Sequence, residues 1–222
     1  MESHIVKIIS INQVTHDVKC LRIEKPAGYK FVPGQATEVS INKPGWIEER
    51  RPFTFTSLNN EPTLEFTIKR YADHNGVTNA LHQLNVGDEL IIRDVWGAIE
   101  YKGPGYFIAG GAGITPFVAI LRQLYLNNQL AGNVLFFSNK TTADIIYAEE
   151  LARMLGTNAI YIITREKKEG FENALINEDF LKAKITDFSK HFYVCGPDKM
   201  IADINTALEK LGATADSVVF EK

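Results

Sequence analysis

Over the first hundred positions, apolar residues recur at short, strand-like intervals. Ile5–Ile11, Val18–Glu24, Ala36–Ile41, Phe53–Ser57, Leu64–Lys69 and Glu89–Arg93 carry β-branched and aromatic residues in patterns that suit half-buried strands. Pro26, Gly28, Pro44-Gly45 and Asn59-Asn60 punctuate them, and Pro33-Gly34-Gln35 and Gly87-Asp88 turn the chain into the next strand. Helical spacing is confined to Gly76–Leu84, where Leu81 and Leu84 fall on one side. Many short strands with little helix predict a small antiparallel β-barrel.

The pattern changes near Tyr101–Gly105. Short apolar runs at Tyr106–Ala109, Val134–Phe137, Ala159–Thr164 and His191–Val194 alternate with helix-period segments at Pro116–Leu126, Asp144–Leu155, Phe180–Ala183 and Met200–Leu211. Strands separated by helices predict parallel β-α-β units, and continuous apolar strands predict a sheet covered on both faces. The expected division is therefore a β-barrel domain, residues 1–100, followed by an α/β parallel-sheet domain, residues 101–222.

Composition narrows the function classes. The 222 residues are 45% hydrophobic and 23% charged, enough apolar material for a sizeable core. The net charge of −3 brings no basic stripe of the kind that nucleic-acid binding uses. No apolar run approaches bilayer length. The start, MESHIVKIIS, lacks the features of a signal peptide, so the expected location is cytoplasmic. The 2 cysteines, Cys20 and Cys195, cannot by themselves hold a four-cysteine iron–sulfur cluster, and no metal site is expected.

The densest chemical signal is Ala109-Gly110-Gly111-Ala112-Gly113-Ile114-Thr115-Pro116-Phe117, a glycine turn between a strand and a helix. Glycines let backbone approach a bulky anion, and a helix N-terminus favours phosphate. Thr115 suits a helix cap and Pro116 the first helical position. The spacing departs from the common dinucleotide fingerprint, because Pro116 stands where its last glycine falls. A tight turn without a ligand is the competing reading.

Four segments in order resemble the ferredoxin–NADP reductase family of two-domain flavoproteins: Arg51-Pro52-Phe53-Thr54, Gly76-Val77-Thr78, the turn at 109–117, and Cys195-Gly196-Pro197 with Met200. The resemblance covers nearly the whole chain. It implies a flavin in the first domain, FAD with FMN as the alternative, and a nicotinamide nucleotide in the second. It places Arg51 on a flavin phosphate and Phe53, where the family usually has tyrosine, on the isoalloxazine ring. Thr54 falls near flavin N5, and Gly76, Val77 and Thr78 at the flavin phosphates. Gly110, Gly111, Gly113, Thr115 and Pro116 fall at the nucleotide pyrophosphate, and Cys195, Gly196, Pro197 and Met200 beside the nicotinamide. Thr54 and Cys195 are the implied catalytic pair. Glu221 is a candidate for the carboxylate, and Phe220 for the ring shield, that many members carry near the C-terminus.

The residues also suit this chemistry in their own right. A guanidinium matches phosphate, and a phenyl ring stacks on a flat heterocycle. A barrel-core aromatic is the plain alternative for Phe53, a helix cap for Thr78, and a buried structural thiol for Cys195. Coenzyme choice rests on Ser138 and Lys140 after the second α/β strand and Arg165 after the third. No acid follows the second strand directly, so NADPH is expected, with NADH as the alternative because Asn139–Ile145 also resembles NAD-using relatives. Together these features predict an NAD(P)H-dependent flavoprotein reductase that passes electrons to a separate acceptor such as ferredoxin or flavodoxin. The alternative is a flavin-binding electron-transfer or regulatory subunit of a multi-chain enzyme.

Overall fold

The structure is a computed structural model that describes residues 2–72, 75–97 and 99–220. The first six strands are β1 (Ser3–Thr15), β2 (Val18–Glu24), β3 (Ala36–Ile41), β4 (Arg51–Thr54), β5 (Thr63–Lys69) and β6 (Glu89–Trp96). They form an antiparallel sheet in the order β4-β3-β6-β1-β2-β5. A bridge between Phe55 and Phe66 joins its two edges and closes the barrel. Leu21, Ile23, Val39, Phe55, Phe66 and Leu90 fill the interior, where Phe31 stacks on Phe55 at 4.2 Å. Helix α1 (Val77–Leu81) plugs one end by burying Val77 and Leu81.

The second sheet is parallel throughout. It contains β7 (Gly105–Gly110), β8 (Val134–Asn139), β9 (Ala159–Ile163), β10 (His191–Cys195) and β11 (Val218–Phe220), in the order β11-β10-β7-β8-β9. Helices α2 (Thr115–Leu126) and α3 (Ala148–Leu155) cover one face, where Phe107, Phe137 and Tyr193 pack. Helices α4 (Glu178–Lys184) and α5 (Asp198–Lys210) cover the other, over Ile108, Phe136 and Phe192. Successive residues of one strand thus feed opposite cores, which is why these strands are apolar without alternation. Among the described residues, no helix is long and apolar enough to cross a membrane.

Several local expectations give way. The helix expected over 144–155 is a 3-10 turn at Thr142–Asp144 followed by α3. The Asp144 carboxylate accepts from the Thr141 N–H at 2.8 Å and closes that turn. Tyr147 then takes a left-handed conformation, φ 54°, before α3 begins. Thr115 does not cap α2. It is the helix's first residue, and its hydroxyl donates to the Ala112 carbonyl at 3.0 Å because a 3-10 turn at Gly111–Ile114 precedes it. Pro116 accordingly stands second in the helix. The cap of α1 is Gly76, with no side-chain bond, so Thr78 does not serve there. Phe220 pairs in register with Val194 on edge strand β11 and packs against the α4/α5 core, outside the cleft described below. Glu221 lies outside the described residues.

Side chains from both domains meet. Val14 and Val18 of the barrel pack into the cluster under α2 and α3. His16 Nε2 lies 3.8 Å from the Asp144 carboxylate. A buried polar network also crosses between the domains and is described below.

Candidate active site

Between the carboxyl ends of the parallel strands and the barrel lies a cleft of about 710 Å³. Open sheets bind ligands at this end of their strands. One wall belongs to the barrel. Strand β4 supplies Pro52, Phe53 and Thr54; β5 and the residues after it supply Thr67, Ile68, Lys69 and Tyr71. Thr78 on α1 and Trp96 at the end of β6 complete that wall. Thr54 is buried, while Phe53 is half-buried and tilted against Phe66 at 6.3 Å.

The other wall is built around two glycine turns. The turn after β7 brings Gly110, Gly111, Ala112, Gly113 and Thr115, and the turn after β10 brings Cys195, Gly196, Pro197 and Met200. Close packing explains these glycines. A Cβ on Gly113 would stand 2.3 Å from the Cys195 carbonyl oxygen, and one on Gly110 would stand 2.4 Å from Met200 Sδ. Gly111 differs: its φ is +53° and nothing lies within 4 Å of where a Cβ would be. The glycines on either side are spacers that hold two turns together, and Gly111 leaves open room on the cleft.

Ser138, Asn139 and Lys140 extend this wall from β8, with Asp144 and Thr164 beside them. Asn139 is buried, and its side-chain nitrogen and oxygen have no partner among the described residues. Buried amides are rarely left so. An orphaned amide, a glycine-lined recess and a wall of aromatic and hydroxyl groups fit a flat, phosphate-bearing ligand pair.

The cleft gathers most of the site residues expected from the sequence, but not all. Arg51 is exposed beside it, with its guanidinium donating to the Arg50 carbonyl at 2.6 Å. Among the described residues it makes no ion pair. Gly76 caps α1, and Val77 is buried in the barrel core. Pro116 is buried in α2. Arg165 is exposed and joins the wall through its backbone N–H, which donates to the Lys140 carbonyl at 2.8 Å. Sequence reasoning missed Thr67, Lys69, Tyr71, Trp96 and Asp198. Thr67 and Lys69 share one face of β5, but no sequence pattern says which face meets a second domain.

Comparison with known proteins agrees with this layout. An oxidoreductase FAD-binding domain family matches residues 5–101, and an oxidoreductase NAD-binding domain family matches residues 107–206. The reductase component of propane 2-monooxygenase from Rhodococcus jostii is 26% identical over 97% of this chain and 62% of its own length. The ferredoxin–NAD(P)+ reductase component of the naphthalene 1,2-dioxygenase system from Pseudomonas putida is 21% identical over 95% of this chain and 66% of its own length. The chain thus spans less than two thirds of these relatives. A ferredoxin NADP+ reductase from Neisseria gonorrhoeae, solved with bound FAD and NADP, shares the fold, with a TM-score of 0.86, 21% identity, and coverage of 100% of this chain and 98% of that one. An FAD-binding barrel followed by an NAD-binding parallel sheet, over nearly the whole sequence, makes this chain a member of the ferredoxin–NADP reductase-like family.

Proposed function

We propose that the protein is an NAD(P)H-dependent flavoprotein reductase that delivers electrons to a separate small electron-carrier protein. The observation that carries this reading is that Thr54 and Cys195, far apart in sequence and on different domains, line one cleft. A flavin held there would supply the hydride-accepting and electron-releasing chemistry. The protein supplies positioning. Arg51 pairs with a flavin phosphate, and Phe53 offers a ring face for stacking. Thr54 holds a hydroxyl proton at the reacting edge. The Gly110–Gly113 and Cys195–Pro197 turns admit the nucleotide backbone-first, and Met200 and Pro197 keep water from the gap. Cys195 shapes this gap without acting as a nucleophile. The acceptor class, a ferredoxin or flavodoxin, is supported by the reductase components among the relatives. The matched ranges support a division into domains 1–100 and 101–222. Two widely separated cysteines and no membrane-crossing helix among the described residues suit a cytoplasmic setting.

For the coenzyme we favour NADPH, bound through Lys140 on the cleft and Arg165 adjoining it. One observation favours NADH instead. The Glu166 carboxylate accepts from the Thr142 N–H at 2.8 Å, which puts an acid in the loop cluster where a 2′-phosphate would sit. Anaerobic titration with NADPH and with NADH, followed by flavin absorbance, tests both points. The expected result is bleaching of one flavin per chain, more readily by NADPH. Absence of flavin after reconstitution with FAD or FMN, or no bleaching by either nucleotide, sinks the reading.

A further inference from the structure

Directly behind the cleft, three polar side chains of the nucleotide domain interlock with three of the barrel. Arg122 of α2 donates from Nη1 to the Thr56 carbonyl at 2.6 Å and to Glu65 Oε1 at 2.9 Å. Its Nε and Nη2 form a two-pronged contact with the Glu150 carboxylate of α3, at 2.6 and 2.9 Å. The Thr56 hydroxyl lies 3.0 Å from Glu65 Oε1 and 3.1 Å from the Thr67 hydroxyl. Thr67 in turn lies 2.8 Å from the Tyr147 hydroxyl, and the Arg122 guanidinium sits 5.1 Å from the Tyr147 ring centre. Thr56, Glu65 and Thr67 are all buried. Burial alone would raise the Glu65 carboxyl, but Arg122 holds it below the ordinary range.

The network repeats the order of the cleft one step deeper. Thr54 lines the cleft and Thr56 stands two residues on; Thr67 lines it and Glu65 stands two residues back. Across the gap, Thr115 lines the cleft and Arg122 follows seven residues later on the same helix. Seven residues are about two turns, so the two share a helix face roughly 10 Å apart. One short helix therefore carries the glycine turn at its start and, further along, a grip on the barrel at the Thr56 carbonyl just past β4 and at Glu65 on β5.

We propose that Arg122, acting through Glu65 and the Thr56 carbonyl, is a positioning residue that fixes the nucleotide turn against the flavin-binding strand for hydride transfer. It touches neither ligand. A planar fork bonded on three edges specifies an angle as well as a distance, which a lysine at the same place does not. A misplacement of about 1 Å between reacting groups costs on the order of 100-fold in rate. This inference rests on the reductase reading above.

The test uses the FAD-reconstituted 222-residue chain and the substitutions Arg122→Lys and Glu65→Gln. Three quantities are measured: flavin content with thermal stability, the flavin difference spectrum on adding NADP+ or NAD+ without turnover, and the stopped-flow rate of flavin reduction per bound flavin. For Arg122→Lys, flavin content and nucleotide affinity should stay within about threefold of wild type, while the reduction rate falls roughly 10- to 100-fold. The nucleotide-induced difference spectrum should shrink in parallel. Glu65→Gln keeps the shape and should show the same split at smaller size; it carries the test if Arg122→Lys does not fold. A purely structural role predicts lower thermal stability with an unchanged rate per bound flavin and an unchanged difference spectrum, and that result overturns the proposal. If wild-type protein binds flavin but neither nucleotide reduces it, the reductase reading itself fails, and this inference with it.

Discussion

The two walls of the cleft are built on opposite principles. On the barrel side the surface consists of side chains: Phe53, Thr54, Thr78, Tyr71 and Trp96. On the nucleotide side Gly110, Gly111, Gly113 and Gly196 form two turns with no side chain of their own, set among Ser138, Lys140 and Cys195. A side-chain wall can be altered one group at a time, because each group projects from backbone whose own hydrogen bonds do not depend on it. A backbone wall depends on two turns in contact, and any added atom must move one of them. Substitutions on the barrel wall should therefore change binding or rate while the fold survives. Those on the glycine wall should change stability first.

The largest effect that would sharpen this contrast is at Gly113. Alanine there places Cβ against the Cys195 carbonyl carbon and oxygen, at 2.5 and 2.3 Å, where no flexible side chain can give way. We expect a loss of about 3 kcal/mol or more, seen as a fall in Tm of roughly 6–12 °C. Gly110→Ala should cost less, because its closest contact, Met200 Sδ, can move. Equal Tm values for Gly113→Ala and wild type would end the distinction between the walls.

Next in size is Arg51→Ala. Arg51 is exposed and makes no ion pair among the described residues, so its removal should leave Tm near wild type. Flavin affinity should fall by about 1.5–3 kcal/mol, roughly 10- to 150-fold in Kd, measured by flavin titration of the apoprotein. A loss of Tm without a loss of affinity would make Arg51 a structural group.

Thr54→Val keeps shape and removes a hydroxyl. Flavin reduction should slow by about tenfold, with the protein yellow and folded. Cys195→Ala should also slow reduction, and Cys195→Ser should lose far less, because only shape and polarity are asked of that thiol. Serine as slow as alanine, with a thiol adduct detected by mass spectrometry during turnover, would replace hydride transfer with thiol chemistry.

The smallest effect concerns acid. The Glu65 carboxyl is held below its ordinary value of 4.5 in the folded protein, burial being outweighed by Arg122. A carboxyl depressed on folding contributes stability that is complete above its unfolded pKa and is lost as pH falls through the folded one. Stability of the wild type should therefore decline from about pH 4.5 downward, and Glu65→Gln should flatten that decline. Identical slopes for the two proteins would mean that Glu65 is not a principal source of the acid sensitivity.

Much of the architecture was legible from hydrophobic period alone. Alternating patterns in the first half and continuous apolar runs in the second reflect sheets with one and two buried faces, so strand type followed from residue type. Element ends were less visible. Thr115 looked like a cap because sequence does not distinguish a helix start from the 3-10 turn that precedes it. The break at Tyr147 was hidden because its neighbours favour helix, and the bond from Tyr147 to Thr67 of the other domain was not visible from the sequence. Cys20 is a buried thiol, pushed up to about 12 by burial and the neighbouring Glu65.

By itself the sequence determined the two domain types, the order of most of their strands and helices, and several of the segments that line the cleft. These depend on contacts between residues close along the chain: period, turn chemistry, and glycines beside a helix start. Tertiary structure alone decided that Gly113 is a spacer against Cys195 whereas Gly111 is open, that Thr67, Lys69, Tyr71 and Trp96 share the cleft, and that Arg122 bonds Glu65 and the Thr56 carbonyl of the barrel. Each of these is a distance between residues remote in sequence. Such distances are set by how two cores pack against each other, and no local pattern encodes them.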